Sequence, residues 1–214
     1  MMENNQQIII LQVKQKSQTS SNCLIFFDDG TEIELSMDLV LKNQLTKGKV
    51  ISSALLSEIV LEQRLLNAKQ TAYSFASYTP RTKNQIINKL KKSAFSDTEI
   101  EISIKFLEDF SLINDADFAK KFINDYLLKN KAGELKLLQL LVNKGVDKTI
   151  AESAIKNFLS EEKSLEMAIL AAEKKLKLLS NKPKKKQKQT VYNHLLNKGF
   201  SYSEAQKVVE IVIK

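Results

Sequence analysis

The chain offers few residues that could carry out catalysis. Its only histidine, His194, lies in the stretch VYNHLLNKG beside Leu195 and Leu196. A nucleophile, a base and an orienting carboxylate must support one another in such chemistry, and adjacency in sequence supplies none of this here. Cys23, the only cysteine, lies in an apolar run and is more typical of a small buried side chain than of a nucleophile. We therefore expect a protein that is not an enzyme.

No motif for a cofactor or a metal is present. The sequence contains neither a G-x-x-x-x-G-K-[ST] phosphate loop nor a G-x-G-x-x-G fingerprint. The acidic pairs Asp28-Asp29 and Glu161-Glu162 are typical of a turn and of a helix start, and nothing marks them as convergent. One thiol is too few for a structural zinc site. We expect no metal and no cofactor.

Basic residues are the remaining candidates for function. The net charge of +8 is uneven: residues 1–70 carry −1, residues 71–160 carry +3 and residues 161–214 carry +6. Residues 174–188 contain eight lysines and no acid. Such density favours a polyanion or an acidic protein surface as partner. The alternative, that lysines simply solvate helix surfaces, stays open.

The candidate binding residues cluster around the starts of three similar segments, where they would form a recurring positive stripe. Phe118 and Phe122, by contrast, follow helical spacing and are interpreted as core rather than as a platform for stacked bases. The predicted binding set for an anionic partner is Arg81, Lys83, Lys129, Lys131, Lys136, Lys144, Lys184, Lys185, Lys186 and Lys188.

The elements that must position these residues form a repeat. The segments Gln85–Leu107, Glu134–Leu159 and Thr190–Val212 each read as a helix, a one-residue apolar step and a second helix, spaced by 51 and then 54 residues. A copy this short cannot bury its own apolar face, so neighbouring copies must stack. The shared register aligns Phe95 with Val146 and Phe200, Leu90 with Leu141 and Leu195, Ile100 with Ala151 and Ala205, and Ile104 with Ile155 and Val209.

Local signals predict where the paired helices begin and end. Gly145 and Gly199 stand where a left-handed residue ends a helix, while Ala94 occupies that place in the first copy and predicts a distorted or less tight turn. Asp147 predicts an N-cap in the middle copy. Capping boxes are predicted for Ser96 with Glu99 and for Ser201 with Glu204.

A leading helix precedes each pair, predicted over Ala72–Tyr78, Asp117–Leu128 and Ser164–Leu179. The lysine-rich segment Ser180–Gln189 is the least repeat-like part of the chain. Because Pro183 ends any helix near it, we interpret this segment as a solvated loop.

The first residues follow a different pattern. Residues 8–35 alternate in the manner of three short strands, with Asp29-Gly30 as a hairpin turn. Helices follow over Asp38–Gln44 and Ser52–Asn67. The predicted fold is mainly α: an elongated array of three three-helix repeats with a small N-terminal β-rich segment. We divide it into a β-rich region (1–50), a linker helix with the first repeat (51–110), a second repeat (111–160) and a third repeat (161–214).

Composition limits the class of protein further. No apolar run approaches the roughly 18 residues of a membrane span, and the first residues lack the basic region of a signal peptide. Forty-three per cent hydrophobic residues suffice for a core. We expect a cytoplasmic monomer without a membrane partner.

Several of these motifs, in their order, resemble those of the RecX family of RecA modulators. Ala72–Leu90 (AYSFASYTPRTKNQIINKL) resembles the family's Tyr…Arg-x-x-x-Glu-Leu…Leu opening, although Gln85-Ile86 replaces Glu-Leu. Ile113–Ala119 (INDADFA) is similar to its Leu-Asn/Asp-Asp-x-x-Phe-Ala stretch. Lys131-Ala132-Gly133 and the later Lys144-Gly145-Val146 resemble its Lys-x-Gly…Lys-Gly-Ile segment. The resemblance covers about residues 70–214.

The resemblance implies a function in DNA recombination, repair and the SOS response. It implies binding in the groove of the RecA–DNA filament, contact with single-stranded DNA inside it, weak binding to naked DNA, and inhibition of ATP hydrolysis and strand exchange. Two alternatives remain from the residues themselves. One is a nucleic-acid-binding module in which each helix pair acts as a helix-turn-helix, without a recombinase partner. The other is a structural adaptor that ignores nucleic acid.

Overall fold

Alternating apolar residues make the start of the chain a small antiparallel sheet. The computed structural model describes residues 7–213. The first elements are β1 (Gln7–Gln15), β2 (Asn22–Phe27), β3 (Glu32–Ser36), α1 (Met37–Lys42) and β4 (Val50–Ser52). The sheet has the order β3-β2-β1-β4, and every neighbouring pair is antiparallel. The predicted hairpin is confirmed, with Gly30 at φ 82° in its turn. β4 is a strand that we did not predict.

From Ser53 onward the described chain is helical. The helices are α2 (Ser53–Tyr78), α3 (Lys83–Lys92), α4 (Asp97–Asp109), α5 (Asp115–Lys129), α6 (Glu134–Asn143), α7 (Lys148–Phe158), α8 (Glu161–Lys177), α9 (Lys184–Asn197) and α10 (Tyr202–Val212). The prediction of a mainly α protein with an N-terminal β segment is therefore confirmed. Within residues 7–213, no helix combines the length and apolar character that a membrane crossing requires.

The described chain divides into two compact units. The first holds the residues up to Tyr73 together with Leu90–Phe106. Its core joins one face of the sheet to α1 and to Ile59 of α2. Arg64 of α2 ties the later segment in: its Nε lies 2.9 Å from Glu99 Oε1 and its Nη2 donates to the carbonyl of Ala94 at 3.3 Å. Hydrogen bonds from Arg64 and from the Ser96 backbone lower the pKa of Glu99 to about 2.

The second unit holds Ser74–Lys89 and the described residues from Leu107 on. In it α5 packs on α7 and α6 on α7, while α8, α9 and α10 pack on one another. A single apolar core runs through both triplets of helices. Small residues such as Ala151, Ala168 and Ala205 are fully buried and let these helices approach closely.

Burial confirms the repeat register. Leu90, Leu141 and Leu195 are each fully buried, and the aligned third-helix positions, such as Ile104 and Ile155, are at most 8% exposed. The predicted caps are confirmed as well. Both serine boxes form, and Asp147 accepts from the Thr149 N–H.

The turn of the first copy corrects one expectation. Ala94 adopts φ 59°, the same left-handed conformation as Gly145 (88°) and Gly199 (81°). The Phe95 N–H bonds the Leu90 carbonyl at 3.3 Å, as the equivalent residues do in the other copies. Ala94 therefore makes the same turn rather than a distorted one, at the steric cost that a Cβ carries there.

Two predicted helix boundaries are wrong. The helix expected to stop near Asn67 continues to Tyr78, so that α2 is one helix of 26 residues. The lysine-rich segment expected to be a loop is largely helical, because α9 begins at Lys184. Pro183 stands at the N-cap of α9 and so begins a helix instead of ending one.

Candidate functional site

Successive repeats in the second unit contact each other at what we call a joint. At a joint, the start of the second helix of one repeat packs against the left-handed turn of the next repeat. At the first joint, Thr82 is fully buried and its Oγ1 donates to the Lys144 carbonyl at 2.8 Å. A Cβ on Gly145 would lie 2.8 Å from the Asn84 Cβ. Backbone and short side chains thus fix this joint.

The second joint repeats this arrangement with backbone groups alone. The Gly133 N–H donates to the Lys198 carbonyl at 2.9 Å, and the Leu135 N–H donates to the Gly199 carbonyl at 3.0 Å. A Cβ on Gly133 would lie 2.5 Å from the Phe200 nitrogen, and both glycines are buried. Thr82 and Gly133 are repeat-equivalent, as are Lys144 and Lys198, so the two joints share one geometry.

Arg81 lies beside the first joint with its guanidinium on an aromatic ring. Its Cζ is 4.5 Å from the centre of the Phe75 ring, a cation–π contact. The Arg81 Nε is buried and has no hydrogen-bond acceptor among the described residues. A buried donor without an acceptor costs free energy, and because the Nε is itself covered, an outside partner would contact this guanidinium through its Nη groups.

The other basic residues of the first joint already have partners. Lys83 Nζ lies 2.8 Å from Glu108 Oε1, and the Lys83 N–H donates to Asp115 Oδ1. Burial raises the pKa of Asp115 despite that bond. Lys144 is exposed, with its Nζ 5.3 Å from the centre of the Phe122 ring. Of these lysines, Lys144 is the one whose charge faces solvent without a carboxylate.

Lys131, Lys136 and Lys198 gather at the second joint. Lys131 precedes Gly133, and Lys136 packs its backbone against Gly199. Lys198 is a basic residue that we did not predict, although the register that aligns Leu141 with Leu195 also aligns Lys144 with Lys198. The joint therefore places basic residues from two repeats side by side.

The lysines at the start of α9 form a separate cluster. Lys184, Lys185, Lys186 and Lys188 are all exposed in the first turns of this helix, whose N-cap makes no side-chain hydrogen bond. Lys174, Lys175 and Lys177 stand in the last turn of α8, just before them. Since α9 is 14 residues long, about 20 Å separates this cluster from the joint at the other end of the helix. Lys129, at the end of α5, lies in neither the α9 cluster nor a joint contact.

The lysine clusters carry charge that the protein itself does not neutralise. Within the described part of the chain, no carboxylate lies in ion-pair range of Lys129, Lys131, Lys185, Lys186 or Lys188. Partial burial, with Lys198 and Lys175 nearby, lowers the pKa of His194. At neutral pH this histidine is uncharged and adds nothing to the positive surface. These five lysines therefore leave positive charge at the surface that no neighbouring carboxylate of the described chain neutralises.

The structure also shows the surroundings of Cys23. Cys23 is buried in the first unit, with its Sγ 3.6 Å from Met37 Sδ. Among residues 7–213 there is no group of three His, Cys, Asp or Glu side chains arranged to hold a metal ion. The candidate site consists of the two joints and the lysine clusters.

Comparison with known proteins matches most of the chain to one family of regulatory proteins. Residues 161–209 match the family model "RecX, third three-helix domain". A regulatory protein RecX of Clostridioides difficile (strain 630) is 29% identical over 201 residues, which is 94% of each chain. A regulatory protein RecX of Lactococcus lactis subsp. lactis (strain IL1403) is 31% identical over 186 residues, covering 86% of this chain and 69% of the relative.

Solved structures share the fold. The crystal structure of a regulatory protein RecX superimposes with a TM-score of 0.75 over 96% of this chain and 98% of the other, at 23% identity. That of RecX from Lactobacillus salivarius gives a TM-score of 0.65 at 25% identity, over 70% of this chain and 96% of the other. The likeness thus includes the β segment as well as the repeats.

Proposed function

The chain belongs to the RecX family of regulatory proteins, and we propose that it regulates a RecA-type recombinase by binding the recombinase–DNA filament. In this proposal it inhibits the recombinase's ATP hydrolysis and strand exchange and so modulates DNA repair and recombination in the cytoplasm. The observation that carries the proposal is the likeness to regulatory proteins over 94% of both chains.

The joints suit a surface that is itself a repeat. A filament presents the same protein subunit and the same phosphate spacing again and again, so a matching regulator needs similar contacts at regular intervals. Lys144 and Lys198 occupy equivalent positions of successive joints, 54 residues apart in sequence. Their backbone carbonyls are held by Thr82 and by Gly133, which fixes where each side chain starts. Preorganised contacts of this kind lose little entropy on binding.

Arg81 and the lysines contribute differently to the proposed contact. Arg81 is held by Phe75, so the Nη groups at the end of its guanidinium would donate to a phosphate or carboxylate in a fixed, bidentate geometry. The exposed lysines of α9 contribute mainly screened attraction to phosphate. Binding to naked single-stranded DNA is therefore weak and strongly dependent on salt, and the filament adds the protein contacts that raise affinity.

This regulator acts by occupancy rather than by turnover. A monomer that touches more than one recombinase subunit would be effective at amounts well below one molecule per subunit. No metal or cofactor is required in this mechanism, because the binding free energy comes from charge and shape.

A pull-down tests the proposal. The immobilised protein is offered the cognate recombinase filament on single-stranded DNA, free recombinase, and bare single-stranded DNA. We expect strong retention of the filament and retention of bare DNA that falls steeply between about 50 and 200 mM salt. Duplex DNA is offered as well. If one duplex sequence is retained in preference to the filament, free recombinase and single-stranded DNA, the protein is instead a helix-turn-helix module.

A further inference from the structure

A cleft lined by leucines opens where the starts of α6, α8 and α10 meet. Its volume is about 550 Å³, and Leu135, Leu159 and Leu165 supply its apolar lining. Leu135 is 57% exposed, although it lies directly against the tight second joint. Three leucines in one cleft form an apolar patch of the kind that marks an interaction site. We call this the leucine cleft.

The rim of the leucine cleft is acidic in a basic protein. Glu134, Glu161, Glu162 and Glu204 line it together with one lysine, Lys207, so the lining carries a net negative charge. Within residues 7–213 no basic side chain lies in ion-pair range of any of these carboxylates. Carboxylates at helix starts stabilise their own helices, so the charge by itself identifies no partner. Together with the leucines, however, it specifies one: a basic segment that carries an exposed apolar side chain.

Such a segment lies at the other end of α8. Leu178, the C-cap of this helix, is 75% exposed. It is flanked by Lys174, Lys175 and Lys177 in the last turn of α8 and by Lys182 four residues later. A leucine surrounded by lysines is the complement, in shape and in charge, of a leucine-lined cleft with a glutamate rim. We call it the leucine knob.

The cleft and the knob cannot meet within one molecule. Glu161 begins α8 and Leu178 caps its end, so the 17-residue helix keeps them about 25 Å apart. We infer that the leucine knob of one copy binds the leucine cleft of a second copy. Because the two surfaces differ and lie at opposite ends of one helix, the contact is head-to-tail and leaves a free cleft and a free knob for further copies.

The contact is weak and reversible. Exposed ion pairs contribute little and are screened by salt, and one leucine supplies most of the apolar burial. The protein is therefore monomeric when dilute or at high salt and associates when concentrated at low salt. One consequence rests on the proposed function. The lysines of a knob that is bound in a cleft cannot bind phosphate at the same time. A polyanion therefore disrupts the head-to-tail assembly, and the monomer is the form that binds the filament.

Sedimentation velocity of the full chain, without recombinase or nucleic acid, tests the inference. We expect the weight-average sedimentation coefficient to rise with protein concentration at about 50 mM salt and to stay constant at about 200 mM. Leu178→Ser should weaken association about tenfold or more, since it removes the buried leucine. Leu61→Ser, which changes a leucine that is 63% exposed on α2 and lies between Glu58 and Glu62, should leave association unchanged.

Charge reversal gives the sharper result. Glu161→Lys/Glu162→Lys reverses the charge of the cleft rim, and Lys174→Glu/Lys177→Glu/Lys182→Glu reverses that of the knob. Each variant alone should remain monomeric, whereas an equal mixture should associate, because each cleft then meets a knob of opposite charge. Restored association also shows that both variants fold. A wild-type protein that stays monomeric under all these conditions, or a mixture that does not associate, would overturn the inference.

A further arm separates this inference from the proposed function. Inorganic polyphosphate added to the associated wild-type protein should return it to the monomer. If association fails while the filament pull-down succeeds, only the head-to-tail contact is wrong. If association and its charge rescue succeed while no filament is retained, the proposed function is wrong and the contact stands.

Discussion

Gly133→Ala is a sharp test of the second joint. Gly133 has φ −84°, a conformation that alanine adopts freely, so at an unconstrained position this change would stabilise the protein by about 0.4–1 kcal/mol. Here the new Cβ would lie 2.5 Å from both the Gly199 carbonyl carbon and the Phe200 nitrogen. These are backbone atoms, so the two repeats must separate by roughly an ångström to reach ordinary contact distances of about 3.5 Å.

The expected cost follows from the contacts that this separation disturbs. Overpacking costs about 1–3 kcal/mol. The bonds from the Gly133 and Leu135 N–H groups would lengthen as well, at about 1 kcal/mol each. After the entropic gain of alanine is subtracted, Gly133→Ala should destabilise the protein by about 3 kcal/mol. The opposite sign from an ordinary Gly→Ala change makes the result diagnostic.

Urea unfolding followed by far-UV circular dichroism measures the total effect, and hydrogen exchange at the Leu135 amide measures the local one. Gly48→Ala is the matched control, because nothing lies within 4 Å of its Cβ position and φ is +84°. Gly48→Ala should lower the free energy of unfolding by about 1–2 kcal/mol, because alanine is strained in the left-handed conformation, and hydrogen exchange at Leu135 should not become faster. A neutral or stabilising Gly133→Ala would refute the geometry of the joint.

Three further results are expected. Leu141→Ala, at a fully buried position, should cost about 2–5 kcal/mol in urea unfolding, whereas exposed Lys144→Ala should cost about 0.5 kcal/mol, and equal effects would contradict the register. The pKa of Glu99 is lowered to about 2 in the folded protein. Its pairing with half-exposed Arg64 therefore stabilises the folded state fully above about pH 4.5, and this stabilisation is lost as the pH falls toward 2. Glu99→Gln should lower the free energy of unfolding by about 1 kcal/mol at pH 7 and leave it unchanged at pH 2. Replacing Lys184–Lys186 by glutamates should weaken filament binding and flatten its salt dependence, unlike the same number of reversals on exposed lysines of the first unit.

The core was predictable from sequence because its signals are local. A register built on apolar spacing, helix-ending glycines and capping residues identified Leu90, Leu141 and Leu195 as equivalent, and all three are fully buried. Each of these signals reflects the conformational preference of a few neighbouring residues, so no knowledge of the tertiary structure was needed.

The missed elements depend on contacts that are distant in sequence or on ambiguous residues. β4 has three residues, too few for a period, and forms by pairing with β1. Pro183 can end one helix or begin another, and sequence alone did not distinguish them. The left-handed turn at Ala94 is held by its own backbone hydrogen bonds and by Arg64, which lies 30 residues earlier.

The candidate site was predictable as a set of basic residues but not as a geometry. The repeat register contained enough information to find Lys198, since it is equivalent to Lys144. The pairing of Lys83 with Glu108 and the stacking of Arg81 on Phe75 depend on side-chain positions that only the folded chain defines. These contacts show that the charge of Lys83 is already paired, whereas Arg81 keeps a hydrogen-bond donor without an acceptor among the described residues.

The most direct test of the central claim is ATP hydrolysis by the cognate recombinase on single-stranded DNA, titrated with this protein. We expect inhibition at amounts well below one molecule per recombinase subunit, with no hydrolysis by the protein alone. Arg81→Ala should raise the amount needed more than any single lysine substitution does, because its guanidinium is held on Phe75 and offers planar, bidentate donors that a lysine lacks. Undiminished hydrolysis at every ratio, together with tight binding to one naked duplex sequence, would contradict it.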